Sequence, residues 1–290
     1  MDTQRLILFV IFSFSALFLW ERWQAEHRPP APAVAQPAAP TTGADAPVPG
    51  RAATPAVPGT VPGAAAATPA APSEKIVVKT DLYTAEVDTL GAVLSEVALS
   101  AHRDTHDEHK PYVLLQRNAE RTFVAQTGLL GDGFPNHRTP WQALPGPREL
   151  TAGVNELVLT LQATAANGGK VEQRLTFHRG SYVIDVAYAI TNAGAAPLTP
   201  YAYFQLTRDT KAAVVQSSMA PSAYTGPVLY NDADKFKKID FAELDKLAAD
   251  PSRKLPYTKN ADNGWVGMVE HYFVAAWLPS DDAKTPREFY

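Results

Sequence analysis

Residues 101–110 read AHRDTHDEHK and hold the chain's densest set of metal-ligating side chains: His102, His106 and His109 among Asp104, Asp107 and Glu108. Imidazole nitrogens and carboxylate oxygens at this spacing suit a zinc or nickel ion if the loop folds inward. A solvated loop between two strands, where charge stays in water, is the simpler reading. Other chemistry is thinly represented. The chain has no cysteine, which removes thiolate ligands, cysteine nucleophiles and disulfides. It also lacks a G-x-S-x-G elbow, a phosphate loop and an H-E-x-x-H pair. Aromatic residues are the richer signal. Tyr201, Tyr203, Tyr224, Tyr230, Phe236 and Tyr257 gather in one half of the chain, where they either mark a partner surface or fill a core.

These side chains need strands to hold them. Residues 75–79, 82–87 and 92–99 are β-rich, with a turn at Gly91. Between 155 and 192 the alternation is sustained. Leu157, Leu159 and Leu161 lead into Ala166-Asn167-Gly168-Gly169, a tight hairpin turn; Val171, Leu175 and Phe177 return on one face. After Arg179-Gly180, residues Tyr182, Ile184, Val186, Tyr188 and Ile190 alternate again. This is an antiparallel meander with one wet face. A further strand is expected over 198–206 and a helix over 239–249, stopped by Pro251. Residues 264–279 (GWVGMVEHYFVAAWLP) read best as two strands broken near Glu270-His271, buried as a run. Many strands, one helix and Gly/Pro turns predict a mainly β protein, a large antiparallel β-sandwich of two sheets over residues 73–290.

Residues 1–28 differ in kind. Leu6, Ile7, Leu8, Phe9, Val10, Ile11 and Phe12 run unbroken to Ser13, and Leu17, Phe18, Leu19 and Trp20 complete an uncharged span. As a helix these fifteen residues rise about 22 Å, and Trp20, Trp23 and a snorkelling Arg22 extend them toward bilayer width. Bulky, charged residues follow the span where a cleavable signal needs small ones, so one uncleaved transmembrane anchor is expected. Residues 29–72 contain 12 prolines and 16 alanines, with only Asp45 and Arg51 charged. Proline forbids regular structure and alanine buries too little surface to offset ordering, so this is a disordered Pro/Ala-rich linker. The net charge of −4 lies entirely beyond residue 72, and no basic block exceeds Lys237-Lys238. Nucleic acid is therefore excluded as a partner.

Residues 264–279 closely resemble the G-W-x-x-M-x-x-x-Y-F-x-x-A-W-x-P signature of the YidC family of bacterial membrane-protein insertases, through Gly264, Trp265, Met268, Tyr272, Phe273, Ala276, Trp277 and Pro279. Met1-Asp2, Gln4-Arg5 and the apolar span are similar to the family's start. Thr89-Leu90-Gly91 with Leu94, residues 112–116 (YVLLQ), Gly128-Leu129, residues 177–182 (FHRGSY) and Asn192 follow in the same order. Ala92 and Asn263 stand where the family usually has glycine, which puts two local turns in question.

The resemblance implies an inner-membrane protein with a cytoplasmic amino terminus and a large periplasmic domain of galactose-mutarotase-like type, a supersandwich. It implies insertion and folding of membrane proteins, alone or with the Sec translocon, without cofactor, metal or enzymatic turnover. The implied partners are the lipid bilayer, Sec accessory subunits and nascent membrane proteins. The insertase core is expected to lie outside this chain, which has no second apolar span of about twenty residues. Within the family this half of the domain contacts Sec accessory subunits, which directs attention to residues 224–247, with Tyr224, Tyr230 and Phe236. The runner-up is a membrane-tethered carbohydrate-binding or mutarotase-like protein. Sugar chemistry would use a histidine acid and a carboxylate base, for which His178, His271, Glu172 and Glu270 are available. Both neighbourhoods are ordinary places for exposed polar groups, so no catalytic site is expected.

Overall fold

Alternating burial organises the chain into strands whose apolar sides share one core. The computed structural model describes residues 73–290, apart from 105–106, 132, 167, 210–223, 251, 271 and 281–284. The expected anchor from Leu6 to Trp20 and the expected linker over 29–72 lie outside the described residues.

A six-stranded antiparallel sheet comes first. Its order is β1 (Lys75–Lys79), β2 (Tyr83–Asp88), β3 (Val93–Arg103), β4 (Pro111–Arg117), β5 (Thr122–Leu130) and β10 (Tyr201–Arg208). The meander expected over 155–192 forms as β7 (Glu156–Thr164), β8 (Lys170–His178) and β9 (Ile184–Thr191), with β6 (Gln142–Ala143) at its outer edge. The two sheets face each other. Val78, Tyr83, Ala85, Val87 and Phe123 of the first pack with Leu157, Leu159, Leu161, Val171, Leu175 and Phe177 of the second in one buried cluster. Burying each of the larger side chains contributes about 1.5–3 kcal/mol, so this interface supplies most of the domain's driving force.

A third sheet follows, in the order β12 (Lys235–Lys238), β11 (Thr225–Asn231), β14 (Trp265–Glu270) and β15 (Phe273–Trp277). The break expected near Glu270-His271 is the turn of the β14–β15 hairpin, although His271 itself lies outside the described residues. Helix α1 (Phe241–Ala249) starts after the extended Asp240 and ends with Lys246 in its last turn; none of its side chains is fully buried. A two-stranded ribbon pairs β13 (Asn260–Ala261) with β16 (Arg287–Glu288).

Both four-stranded sheets cover the same face of the six-stranded one. Thr127 of β5 and Phe204 of β10 are direct cross-strand partners and so point the same way. The Tyr188 hydroxyl of β9 donates to Thr127 Oγ1 at 3.2 Å, while the Trp277 ring of β15 lies 5.2 Å from that of Phe204. The sheets therefore meet this face side by side. β9 and β15 are each the last strand of their sheet, and the inward side chains Ile184, Val186, Tyr188 and Ile190 of β9 are only half-buried.

Among the described residues, two hold left-handed backbone without being glycine. Ala92, at φ 51°, occupies one of the positions where the family pattern has glycine. The other, Asn263, needs no such geometry: it trades hydrogen bonds with Asp232 across the start of the β11–β12 loop. Exposed Lys235, at φ 59°, closes that loop. Its replacement by glycine should raise stability by about 0.5–1 kcal/mol, relief of left-handed strain less the added entropy of the unfolded chain. Urea denaturation would check this, and a loss of stability would contradict it.

Candidate functional site

Three polar or aromatic constellations stand out, and they differ sharply in access. The first is a buried ion triad. Glu270, the last residue of β14, is 0% exposed. Arg121, just before β5, donates to its Oε2 at 2.5 Å, and Arg208, ending β10, donates to its Oε1 at 3.3 Å. Arg121 also donates to the carbonyls of Val113 and Leu114, and the Arg208 guanidinium sits 6.0 Å from the Phe123 ring and 5.6 Å from the Phe241 ring. Burial, followed by the Glu270 carboxylate, pushes the neighbouring Tyr112 phenol up to about 12. The strand break predicts an exposed Glu270; the hairpin instead turns it inward, onto Arg121 and Arg208. A carboxylate wholly buried between two guanidiniums acts as a structural clamp between β14 and the ends of β5 and β10.

The second constellation is a buried His–Tyr pair on the loop that covers β5 and β10. The Tyr203 hydroxyl accepts from the His137 backbone N–H at 3.0 Å and donates to His137 Nδ1 at 2.5 Å. The neutral imidazole with its proton on Nε2 satisfies this geometry. Gly91 is obligatory here: a Cβ would lie 2.0 Å from the His137 carbonyl oxygen. Burial, with help from Arg138 and Arg117, lowers the His137 pKa. A depressed folded-state value means that the unfolded chain binds the proton first. Stability is therefore complete above the ordinary histidine value of about 6.5 and falls as pH drops through that value toward the lowered one. Denaturation at pH 7.5 and 5.5 should show a steeper loss for the wild type than for His137→Gln; equal losses would refute it.

The third is open to solvent and joins two groups of residues singled out by sequence. Tyr230 of β11 pairs with Trp265 of β14 on one side and with Phe236 of β12 on the other. All three lie on the outer face of the third sheet, because Met268 and Glu270, at the opposite parity of β14, face the core. The Tyr230 and Trp265 rings are near-parallel, 6.3 Å apart at 13°, and Phe236 lies 6.1 Å from Trp265 while remaining 52% exposed. Beside them is a cleft of about 380 Å³, lined also by Asp232, Asn263, Gly264, Leu278 and Pro279. Asp232 N–H donates to Asn263 Oδ1 at 3.1 Å, and Asn263 Nδ2 donates back to the Asp232 carboxylate. Tyr230 O–H reaches Asp232 Oδ1 at 3.4 Å.

The remaining candidates fall elsewhere. Tyr224 is architectural: its hydroxyl accepts from Ile239 N–H at 3.0 Å and reaches the Pro227 and Ile239 carbonyls at 2.7 and 2.8 Å. The run 264–279 is mixed rather than buried throughout. Met268 is in the core, Phe273 stacks on Tyr112 at 4.2 Å, and Trp277 N–H donates to the Gln205 carbonyl at 3.0 Å. Tyr272 at the hairpin turn is 92% exposed, and Ala276 faces solvent. His178 is held between Asp185 and Glu156, at 2.7 and 3.3 Å, one carboxylate on each nitrogen. Glu172 pairs with Lys170 and Arg174 on the wet side of β8. In the 101–110 segment, whose first three residues end β3 and whose His106 lies outside the described residues, the His102 ring packs edge-on against Phe273, and Asp107 accepts from the His109 N–H and pairs with Lys110. Among the described residues no cluster could hold a metal ion.

Comparison with known proteins gives these features a setting. Residues 75–290 match the family model described as the YidC periplasmic domain. The chain is 43% identical over 305 residues to the membrane protein insertase YidC of Nitrosospira multiformis, and 43% identical over 291 residues to that of Dechloromonas aromatica. It is 44% identical over 301 residues to that of Ralstonia nicotianae. Each alignment takes in 100% of this chain and 52%, 50% and 51% of the respective relative, so the chain spans about half the length of the curated relatives it matches.

Proposed function

Because this chain belongs to the YidC family of membrane protein insertases, we propose that it serves the integration and folding of bacterial inner-membrane proteins, alone or with the Sec translocon. The match of the family's periplasmic domain across residues 75–290 carries this reading. In it, the span 6–20 anchors the chain with its amino terminus in the cytoplasm. Residues 29–72 act as a tether, and residues 73–290 fold on the periplasmic side. The activity is one of binding rather than turnover: apolar helices of the client partition into lipid while their polar flanks are kept hydrated. No nucleotide, metal or organic cofactor takes part.

The finer fold follows as part of the proposal. Two four-stranded sheets lying side by side on one six-stranded sheet, with β9 and β15 as their end strands at the seam among the described residues, are the parts of a supersandwich. Strands that join the seam would complete it, and the half-buried β9 side chains are what such strands would cover.

Depletion of the gene product in its own cell tests the function. Inner-membrane proteins with short translocated segments should accumulate uninserted, accessible to protease on the cytoplasmic side. Normal insertion under full depletion would overturn the proposal.

A further inference from the structure

The geometry points to the outer cleft beside Trp265 as a binding site for a short neutral saccharide, a role beyond the insertase reading. The observation is the juxtaposition of two near-parallel rings, Tyr230 and Trp265, with a carboxylate and a carboxamide at the edge of the same cleft. A pyranose has an apolar C–H face and a rim of hydroxyls. The rings offer a face for the first, and Asp232 and Asn263 offer for the second the lone pairs and the second amide hydrogen that their mutual bonds leave over.

The cleft's volume of about 380 Å³ falls at the small end of ligand pockets, which suits one or two sugar rings. Its charge argues for a neutral occupant. Asp232 opposes an anion, and Lys235 Nζ, 3.7 Å from Asp232 Oδ1, opposes a cation. A peptide added as a strand against the cleft's own strands is disfavoured by connectivity, because β11 and β14 both have a strand neighbour on each side. Leu278, 64% exposed at the cleft wall, leaves an apolar spot for a substituent such as an N-acetyl methyl. The bonds that tie the surrounding loops also fix the cleft's walls. The Asp232–Asn263 exchange fixes its polar edge, and the Arg287 guanidinium, donating to the Gly264 and Ser280 carbonyls at 2.5 and 2.8 Å, fixes the far wall.

The test is calorimetric titration of the full chain in phospholipid nanodiscs, which avoids glycosidic detergents, with cellotetraose and chitotetraose. At least one should bind saturably. Chitotetraose binding more tightly would mean that the N-acetyl group is read; equal affinities would mean that ring stacking dominates. Trp265→Ala should weaken binding by about tenfold or more, as for loss of a central aromatic anchor. Asp232→Asn keeps the side chain's shape at an exposed position and should weaken binding severalfold. It carries the same test if Trp265→Ala fails to fold by circular dichroism. Tyr182→Ala, an exposed aromatic at the β8–β9 turn, should bind as wild type. Absence of binding by both tetrasaccharides at millimolar concentration, or wild-type affinity in the folded cleft variants, overturns the assignment. The depletion phenotype above does not depend on the cleft, so the two proposals can fail separately.

Discussion

Replacing Glu270 by glutamine is expected to lower the unfolding free energy by about 3–5 kcal/mol, the usual cost of removing one partner from a buried ion pair. Glu270 is wholly buried, the Arg208 side chain is 1% exposed, and Arg121 is 22% exposed. Glutamine would leave the two guanidiniums facing each other with no anion between them. The loss should be concentrated where the third sheet meets β5 and β10, so protection of the β14–β15 amides from hydrogen exchange should fall first. The triple replacement Arg121→Met, Glu270→Leu, Arg208→Met should recover much of the loss, because a matched apolar set removes the desolvation cost together with the attraction. Urea denaturation of the wild type, the single variant and the triple variant decides the matter. A single-variant loss below about 1 kcal/mol would mean that water reaches the triad and screens it.

Gly264→Ala should be similarly severe, at about 3 kcal/mol or more. Gly264 has φ 119°, a region essentially closed to residues with a Cβ, and a Cβ there would lie 2.2 Å from the Tyr230 carbonyl oxygen. The obstacle is backbone on a paired strand, which cannot swing aside as a side chain would. β14 would have to shift against β11, disturbing the Tyr230–Trp265 pair and the Arg287 bond to the Gly264 carbonyl together. Near-wild-type stability in the variant would require a different turn from the one described.

The sequence reveals the wet strands and conceals the dry ones. β7, β8 and β9 each have one face toward solvent, so their alternation is written in residue type and the order of the meander is legible. β5 is buried along almost its whole length, on both faces, and its sequence TFVAQTGLL has no period to read. β11 carries a glycine and a proline that read as a turn. The expected strand over 198–206 starts instead at Tyr201 and runs to Arg208, because pairing with β5 sets its limits. The site shows the same division. Tyr230 and Phe236 could be named from composition, yet their union with Trp265 depends on the register of β11 with β14, which no local pattern encodes. Glu270 was misjudged for a related reason: its two partners lie far away in the chain, where a strand-break signal cannot see them.

That distance has a consequence in time. Arg121 and Glu270 are 149 residues apart. A chain synthesised at about 5–20 residues per second needs about 7–30 s to deliver the second after the first. Over that interval Arg121 lacks the Glu270 carboxylate, and once Arg208 has followed, the apolar face shared by β5 and β10 still lacks part of its cover. The domain therefore closes late, by its own topology. Until then the nascent form is the one exposed to proteases and holding chaperones, whereas a variant that weakens the clamp acts only after residue 270 is in place, on the ease with which the closed domain reopens.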